Sequence, residues 1–106
     1  MTNNLQGTID LLILKTLERG PNHGFGVTLH IQEVSDGLLK VEEGSLYPAL
    51  HRLNRDKFVD AEWKISENGR RARYYKLTAH GRKALAAQTE TWDTLRKGVT
   101  KVLRFA

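Results

Sequence analysis

The first apolar residues of the chain recur at the spacing of one helical face, which predicts an amphipathic helix. The residues on that face are Ile9, Leu12, Ile13 and Leu17. Thr8 is the expected N-cap, and Asp10 would then lie at the positive end of the helix dipole. The pair Gly20-Pro21 predicts the end of this helix, because glycine favours the position after a helix and proline cannot continue it.

A second apolar stripe follows and predicts a second helix. Its expected N-cap is Asn22 or His23, and Ser35-Asp36-Gly37 is a turn signal that should end it. The side chains expected to face the core are Phe25, Val27, Ile31 and Val34. After the turn, the run Leu38–Val41 is compatible with a short strand.

A third helix is predicted from Glu43 onward, and its surface is sharply divided. Leu46, Leu50 and Leu53 fall at i, i+4 and i+7, so they should face the core. Pro48 is expected in the first turn, where its missing amide hydrogen would be unpaired in any case. The residues expected to point away from the core are Ser45, Pro48, His51, Arg52 and Arg55, with Tyr47 near the boundary.

From Val59 the apolar pattern changes from helical spacing to alternation. Val59, Ala61 and Trp63 alternate with polar residues, as in a half-buried strand. The Asn-Gly pair within Ser66–Gly69 is a strong signal for a hairpin turn, and residues 72–77 return as the second strand. The chain therefore predicts a β-hairpin after its third helix.

Thr78 is expected to cap a last helix over residues 79–104, which at about 1.5 Å per residue would be about 39 Å long. Apolar residues repeat along it near heptad spacing, with Gln88 as the polar exception, and the predicted stripe is Leu85, Trp92, Leu95, Val99 and Val102. A helix this long exceeds what so small a domain needs for its own core. We expect it to pack on a second copy of the chain, and the alternative is that it folds back over its own domain.

Composition is typical of one globular domain and excludes several classes of protein and of functional site. With 106 residues, 40% hydrophobic and 27% charged, the chain has the size and balance of one globular domain. The absence of cysteine excludes disulfides, thiolate zinc sites and cysteine nucleophiles. The longest apolar run, Leu11–Leu14, is too short for a signal peptide or a membrane helix, so we expect a cytoplasmic protein without a membrane partner.

The net charge of +5 is unevenly divided along the chain. Residues 1–43 carry three basic and six acidic side chains, a net −3, whereas residues 44–106 carry fourteen and six, a net +8. The bases of the predicted hairpin are Lys64, Arg70, Arg71, Arg73 and Lys76. A polyanionic partner is therefore expected to meet the second part of the chain.

Enzyme and metal sites are not supported by the spacing of the reactive residues. The four histidines are scattered, with no two of them three or four positions apart. Ser45, His51 and Asp56 do not suit a catalytic triad, because His51 would lie about 120° away from Ser45 around one helix. We therefore expect no enzyme activity, no metal and no cofactor.

Three helices followed by a β-hairpin predict a mostly α fold with a β-hairpin (α+β), the winged helix-turn-helix. The expected division is a DNA-binding domain over residues 1–78 and a C-terminal dimerisation helix over residues 79–106. In this fold the third helix enters the DNA major groove, and the hairpin, or wing, reaches the flanking backbone. The alternative is a winged-helix module that binds protein or RNA, whose wing would more often present apolar or acidic residues.

Several sequence blocks together resemble the PadR-like transcriptional regulators. These blocks are Leu5-Gln6-Gly7-Thr8, Gly20-Pro21-Asn22-His23-Gly24-Phe25-Gly26, the helical run Glu43 to Leu53, Ala61-Glu62-Trp63, Arg70-Arg71-Ala72-Arg73-Tyr74-Tyr75 and Leu77-Thr78-Ala79-His80-Gly81. The resemblance implies a dimeric repressor of an inverted-repeat operator, often near its own gene or a transporter gene. It also implies that Tyr47, Pro48 and the wing arginines lie at the DNA. The chain departs from the family at Lys57, where glycine is usual and a left-handed lysine would cost about 1 kcal/mol more.

The resemblance gives Trp92 two interpretations. Some members of the family bind flat aromatic ligands between paired tryptophans of this helix, and a tryptophan there otherwise fills the dimer interface. The predicted partners are thus a double-stranded DNA operator, a second copy of the chain and, as a further candidate, a small aromatic effector. The residues predicted to contact DNA are Ser45, Tyr47, Pro48, His51, Arg52, Arg55, Asn68, Gly69, Arg70, Arg71 and Arg73.

Overall fold

The computed structural model describes the backbone of residues 2–105 and the side chains of residues 8–105. Its elements, in chain order, are α1 (Thr2–Glu18), β1 (Asn22–His23), α2 (Gly24–Val34), α3 (Glu43–Arg55), β2 (Val59–Ile65), β3 (Arg71–Leu77) and α4 (Ala79–Arg104). The strands form an antiparallel sheet in the order β1-β3-β2. This combination of helices and a small sheet confirms the predicted α+β class.

The core lies where α1, α2 and α3 meet the sheet. Its largest enclosed side chains are Ile13, Leu14, Leu17, Val27, Leu46, Leu50 and Val59. The three leucines predicted on the inner face of α3 are all buried, the most exposed being Leu53 at 2%. Helical spacing therefore predicted this face correctly.

Helix α1 begins earlier than predicted. It starts at Thr2, so Thr8 lies inside the helix rather than at its N-cap, and Asp10 lies beyond the first turn. Residues 2–7 contain no proline that would stop a helix. A threonine cap contributes about 1 kcal/mol, which is a preference and does not by itself end a helix.

Helix α2 begins where predicted, and His23 is its cap. The Nδ1 atom of His23 accepts a hydrogen bond from the amide of Gly26 at 3.1 Å. Val27 is buried, but Phe25 and Val34 are 69% and 64% exposed, so the prediction that they face the core is wrong. Phe25 lies about 200° around the helix from Val27, and Val34 is the last residue of the helix.

The connection after α2 differs in part from the prediction. The predicted turn is present, with Asp36 and Gly37 at φ of 55° and 79°. Leu38–Val41, which the structure describes throughout, is coil rather than strand. The strand that extends the hairpin is β1, whose two residues are too few to show alternation in a sequence.

Pro48 lies deeper in α3 than predicted. It is the sixth residue of the helix rather than part of the first turn. Because proline has no amide hydrogen, the carbonyl of Gly44 lacks its partner within the helix. Both residues are exposed, so this acceptor faces outward rather than into the core.

The end of α3 shows how Lys57 is accommodated. Lys57 takes the left-handed conformation with a φ of 66°. The amide of Phe58 donates to the carbonyl of Leu53 at 2.9 Å. The amide of Lys57 donates to the carbonyl of Asn54 at 3.1 Å, which completes the Schellman ending that usually carries glycine. Thr78 caps α4 as predicted, and its hydroxyl also donates to the carbonyl of Lys57 at 2.7 Å, which ties the end of α3 to the start of α4.

Candidate nucleic-acid interface

The outer face of α3 is a row of exposed side chains. Ser45, Tyr47, Pro48 and His51 all lie on it, away from the buried leucines. The hydroxyl, phenol and imidazole groups can each donate or accept a hydrogen bond. The face thus presents three side chains that can form hydrogen bonds, and all four residues point away from the core, as the sequence predicts.

Tyr47 is held against the start of α2. A Cβ atom at Gly24 would lie 2.9 Å from the Tyr47 hydroxyl oxygen, so glycine leaves the room that this ring needs. The neighbouring His23 ring meets the Tyr74 ring of β3 edge-on, with centroids 5.2 Å apart. These contacts join α3, the start of α2 and the wing into one surface. Sequence patterns singled out neither Gly24 nor Tyr74 for this role.

The two arginines of α3 are each engaged by an acid of the same chain. Arg52 Nη2 donates to Asp10 Oδ1 at 2.9 Å, and both side chains are partly buried. Burial raises the pKa of Asp10, and the charge and hydrogen bond of Arg52 oppose that rise. The exposed Arg55 donates to Asp56 at 3.0 Å, and this hydrogen bond lowers the pKa of Asp56. The sequence predicts both arginines at DNA, but Arg52 is placed between α1 and α3.

The tip of the wing is closed by a tight turn at Ser66–Gly69. The amide of Ser66 donates to the carbonyl of Arg70 at 2.7 Å, and the Ser66 hydroxyl donates to the same oxygen at 2.8 Å. Gly69 has a φ of 79°, a conformation that favours glycine. The predicted hairpin is confirmed, and Asn68 and Arg70 stand exposed at its tip.

The wing arginines Arg70, Arg71 and Arg73 are exposed, and the ion pairs found within residues 8–105 involve none of them. The Cζ atoms of Arg71 and Arg73 lie over the Trp63 ring, 4.9 and 5.9 Å from its centroid. Alternation predicts Trp63 on the buried face of β2, yet 54% of it is exposed because the strand continues beyond the core. The wing therefore presents positive charge that is not neutralised within the described chain.

The C-terminal part of α4 presents an exposed apolar stripe. Its members Trp92, Leu95, Val99 and Val102 are 42%, 43%, 46% and 73% exposed. Leu85, which the sequence predicts for the same stripe, is 5% exposed and packs in the core of its own chain. Its assignment to a free dimer surface is therefore corrected, because this first part of α4 packs on α1.

The histidines stay apart from one another. His23 caps α2, His30 lies 3.3 Å from an Arg19 nitrogen, and the His80 ring packs on Phe58 with centroids 4.6 Å apart. Among the residues that the structure describes, no group of three or more His, Asp or Glu side chains is suited to hold a metal ion. Nor does any helix in the described part have the length and apolar character to cross a membrane.

The sequence matches a known family over most of its length. The Transcriptional regulator PadR-like family aligns with residues 13–87, a range that includes α2, α3 and the wing. The transcriptional regulator Rv3488 of Mycobacterium tuberculosis is 36% identical over 77 residues, which cover 73% of this chain and 68% of that protein.

Solved structures share the fold. A transcriptional regulator from Clostridium thermocellum has a TM-score of 0.83 at 27% identity, over 95% of both chains. Bacillus subtilis PadR in complex with operator DNA has a TM-score of 0.67 at 22% identity, over 76% of this chain and 44% of its own, a likeness of fold alone. With the family match covering the core and the wing, the chain belongs to the PadR-like family of transcriptional regulators.

Proposed function

We propose that this protein is a homodimeric repressor that binds an inverted-repeat DNA operator through α3 and the wing. The proposal rests on one observation, namely that α3 and the wing form a continuous exposed surface. The Tyr47–Gly24 and His23–Tyr74 contacts join the exposed face of α3 to the wing, whose three arginines form no ion pair within the described residues. The fold likeness to B. subtilis PadR, which was solved with operator DNA, supports the same reading.

The residues of α3 take two roles in this proposal. Ser45, Tyr47 and His51 face the major groove, which is wide enough to admit a helix and offers donors and acceptors on base edges. Pro48 packs between them at the DNA surface. Arg52 has a structural role. Its ion pair with Asp10 holds α3 against α1 and leaves little of the guanidinium free to bind a phosphate.

The wing supplies contacts that do not depend on base sequence. Arg70, Arg71 and Arg73 carry charge without an acidic partner in the described chain. Gly69 has no side chain and Asn68 a short one, so the tip can approach the DNA backbone closely. Arg55, exposed at the end of α3, adds to the same phosphate-facing surface.

The second copy packs along the exposed stripe of α4. An interface between long helices buries apolar side chains at this spacing, and a two-fold axis repeats α3 and the wing. Two such units require two half-sites in inverted orientation, about one helical turn of DNA apart. Trp92, in the middle of this stripe, is also the place where a small aromatic effector would bind between the copies.

The test is a titration of operator duplex by the dimer at several salt concentrations. If about eight phosphates are neutralised, the logarithm of the affinity should fall with the logarithm of salt at a slope near −7. A complex whose affinity ignores salt would contradict the electrostatic contacts. Equal affinity for an RNA duplex, or binding to neither, would favour the winged-helix module instead.

A further inference from the structure

Trp63 has a place on the wing that burial does not explain. The inner face of the hairpin runs from the buried Val59 and the half-buried Ala61 to Trp63, which is 54% exposed. Trp63 is paired across the sheet with Arg73, and the next residue on this face of β3 is Arg71. A large aromatic ring therefore lies in solvent between two arginines of the same face.

The guanidinium groups of Arg71 and Arg73 form cation–π contacts with the Trp63 ring. Arg71 Cζ lies 4.9 Å and Arg73 Cζ 5.9 Å from the ring centroid, within the range of a cation–π interaction. A guanidinium has five N–H donors in its plane. A cation–π contact with the ring does not use these donors, so they remain available for hydrogen bonds to phosphate. Neither arginine has an ion pair within the described residues, so the ring is the partner that holds both.

A held arginine binds phosphate at a lower entropic cost than a free one. Arginine side chains have many rotamers, and ordering them on binding reduces affinity. Arginines that already lie along an aromatic ring have lost part of this freedom before the DNA arrives.

We infer that Trp63 is a positioning residue for DNA binding, which orders Arg71 and Arg73 on one face of the wing so that their guanidinium edges meet adjacent phosphates. The inference rests on the proposed function, since it concerns the wing contacts of the same DNA complex. Trp63 itself need not touch the DNA.

The test measures the affinity of the intact dimer for operator duplex, with Trp63→Ala and Trp63→Phe beside the native chain. Ordering one long side chain on binding reduces affinity by about two- to twelvefold, so Trp63→Ala, which frees two arginines, should weaken binding by about fivefold or more. Trp63→Phe keeps a ring and should recover most of this loss. Ile65→Ala is the control, because Ile65 is a similarly exposed apolar residue on the same face and has no ring to offer.

The decisive comparison places Trp63→Ala in a chain that also carries Arg71→Ala and Arg73→Ala. A positioning role predicts no further loss there, since nothing remains to be positioned. The same loss in both backgrounds would overturn the inference, and so would full affinity of Trp63→Ala in the native background. If removing the two arginines left affinity unchanged, the proposed wing contacts themselves would fail, which is a separate outcome.

Discussion

Arg52 of α3 donates a hydrogen bond to Asp10 of α1 at 2.9 Å, across 42 positions of sequence. The pair fastens the helix that we propose to enter the DNA onto the first helix of the core. It also engages the partly buried guanidinium of Arg52, so α3 presents less positive charge to DNA than its sequence suggests.

Arg52→Ala should destabilise the fold by about 1 kcal/mol at neutral pH, because the carboxylate of Asp10 would stay partly buried without its partner. Burial raises the pKa of Asp10, so the folded state binds this proton more readily than the unfolded state does. Ionised Asp10 therefore lowers stability at neutral pH, and protonation relieves the cost. The decrease in the free energy of unfolding caused by Arg52→Ala should therefore become smaller as the pH falls through the raised pKa of Asp10.

Urea unfolding at about pH 7 and about pH 4 measures this difference, with Asp10→Asn as the control. Asparagine keeps the shape of Asp10 without its charge, so it should cost less at neutral pH than Arg52→Ala does. The same loss of stability from Arg52→Ala at both pH values would show that the buried charge is not the cause.

Arg71→Ala should weaken binding to all DNA sequences alike, because we assign this side chain to the phosphate backbone. The expected loss is roughly tenfold at moderate salt, and the salt slope should become less steep by about 2 for the dimer. Lys15→Ala removes an equal charge from α1, where Lys15 is paired with Glu18, and should leave the affinity nearly unchanged. A loss confined to one base pair of the site would instead make Arg71 a reader of sequence.

Trp92→Ala should weaken the dimer, since a tryptophan near the centre of an interface commonly contributes about 2 kcal/mol or more. Sedimentation at micromolar concentration measures the mass of the species in solution. Lys97→Ala changes the same helix two positions from both Leu95 and Val99, and should leave that mass unchanged. If Trp92→Ala also left it unchanged, the stripe of α4 would not be the dimer interface.

Lys57→Gly should stabilise the fold by about 1 kcal/mol, because the residue has a φ of 66° and glycine adopts this conformation without a steric cost. Thermal or urea unfolding measures the gain. Asp36→Gly is the matched comparison at a φ of 55°, and its gain should be smaller since aspartate tolerates the left-handed region better than lysine. A lower stability of Lys57→Gly would mean that the lysine side chain makes a contact of its own.

Local patterns in the sequence predicted the number and order of the helices and the hairpin, but not every boundary or buried face. The spacing of Leu46, Leu50 and Leu53 predicts the buried face of α3, and the Asn-Gly pair predicts the turn of the wing. Caps gave mixed results: Thr78 caps α4, but Thr8 lies inside α1 because a capping preference is weaker than the continuation of a helix.

The remaining features depend on which elements meet in space. The ion pair of Arg52 with Asp10 joins two helices, and β1 is too short to carry a periodic signal. Trp63 falls at a position that alternation assigns to the buried face of β2. It is exposed because β2 extends past the hydrophobic core, which the sequence pattern does not reveal. The spacing of apolar residues describes one helix or strand at a time, so it cannot predict contacts between different elements.

We propose that two copies of this chain bind one two-fold DNA site. Repeated selection of bound duplexes from a random-sequence pool, with the untagged native protein, tests this proposal. We predict an enriched inverted repeat whose half-sites lie about 10 base pairs apart, centre to centre, or a multiple of that. No enriched sequence, or a single unrepeated half-site bound by one chain, would contradict the account.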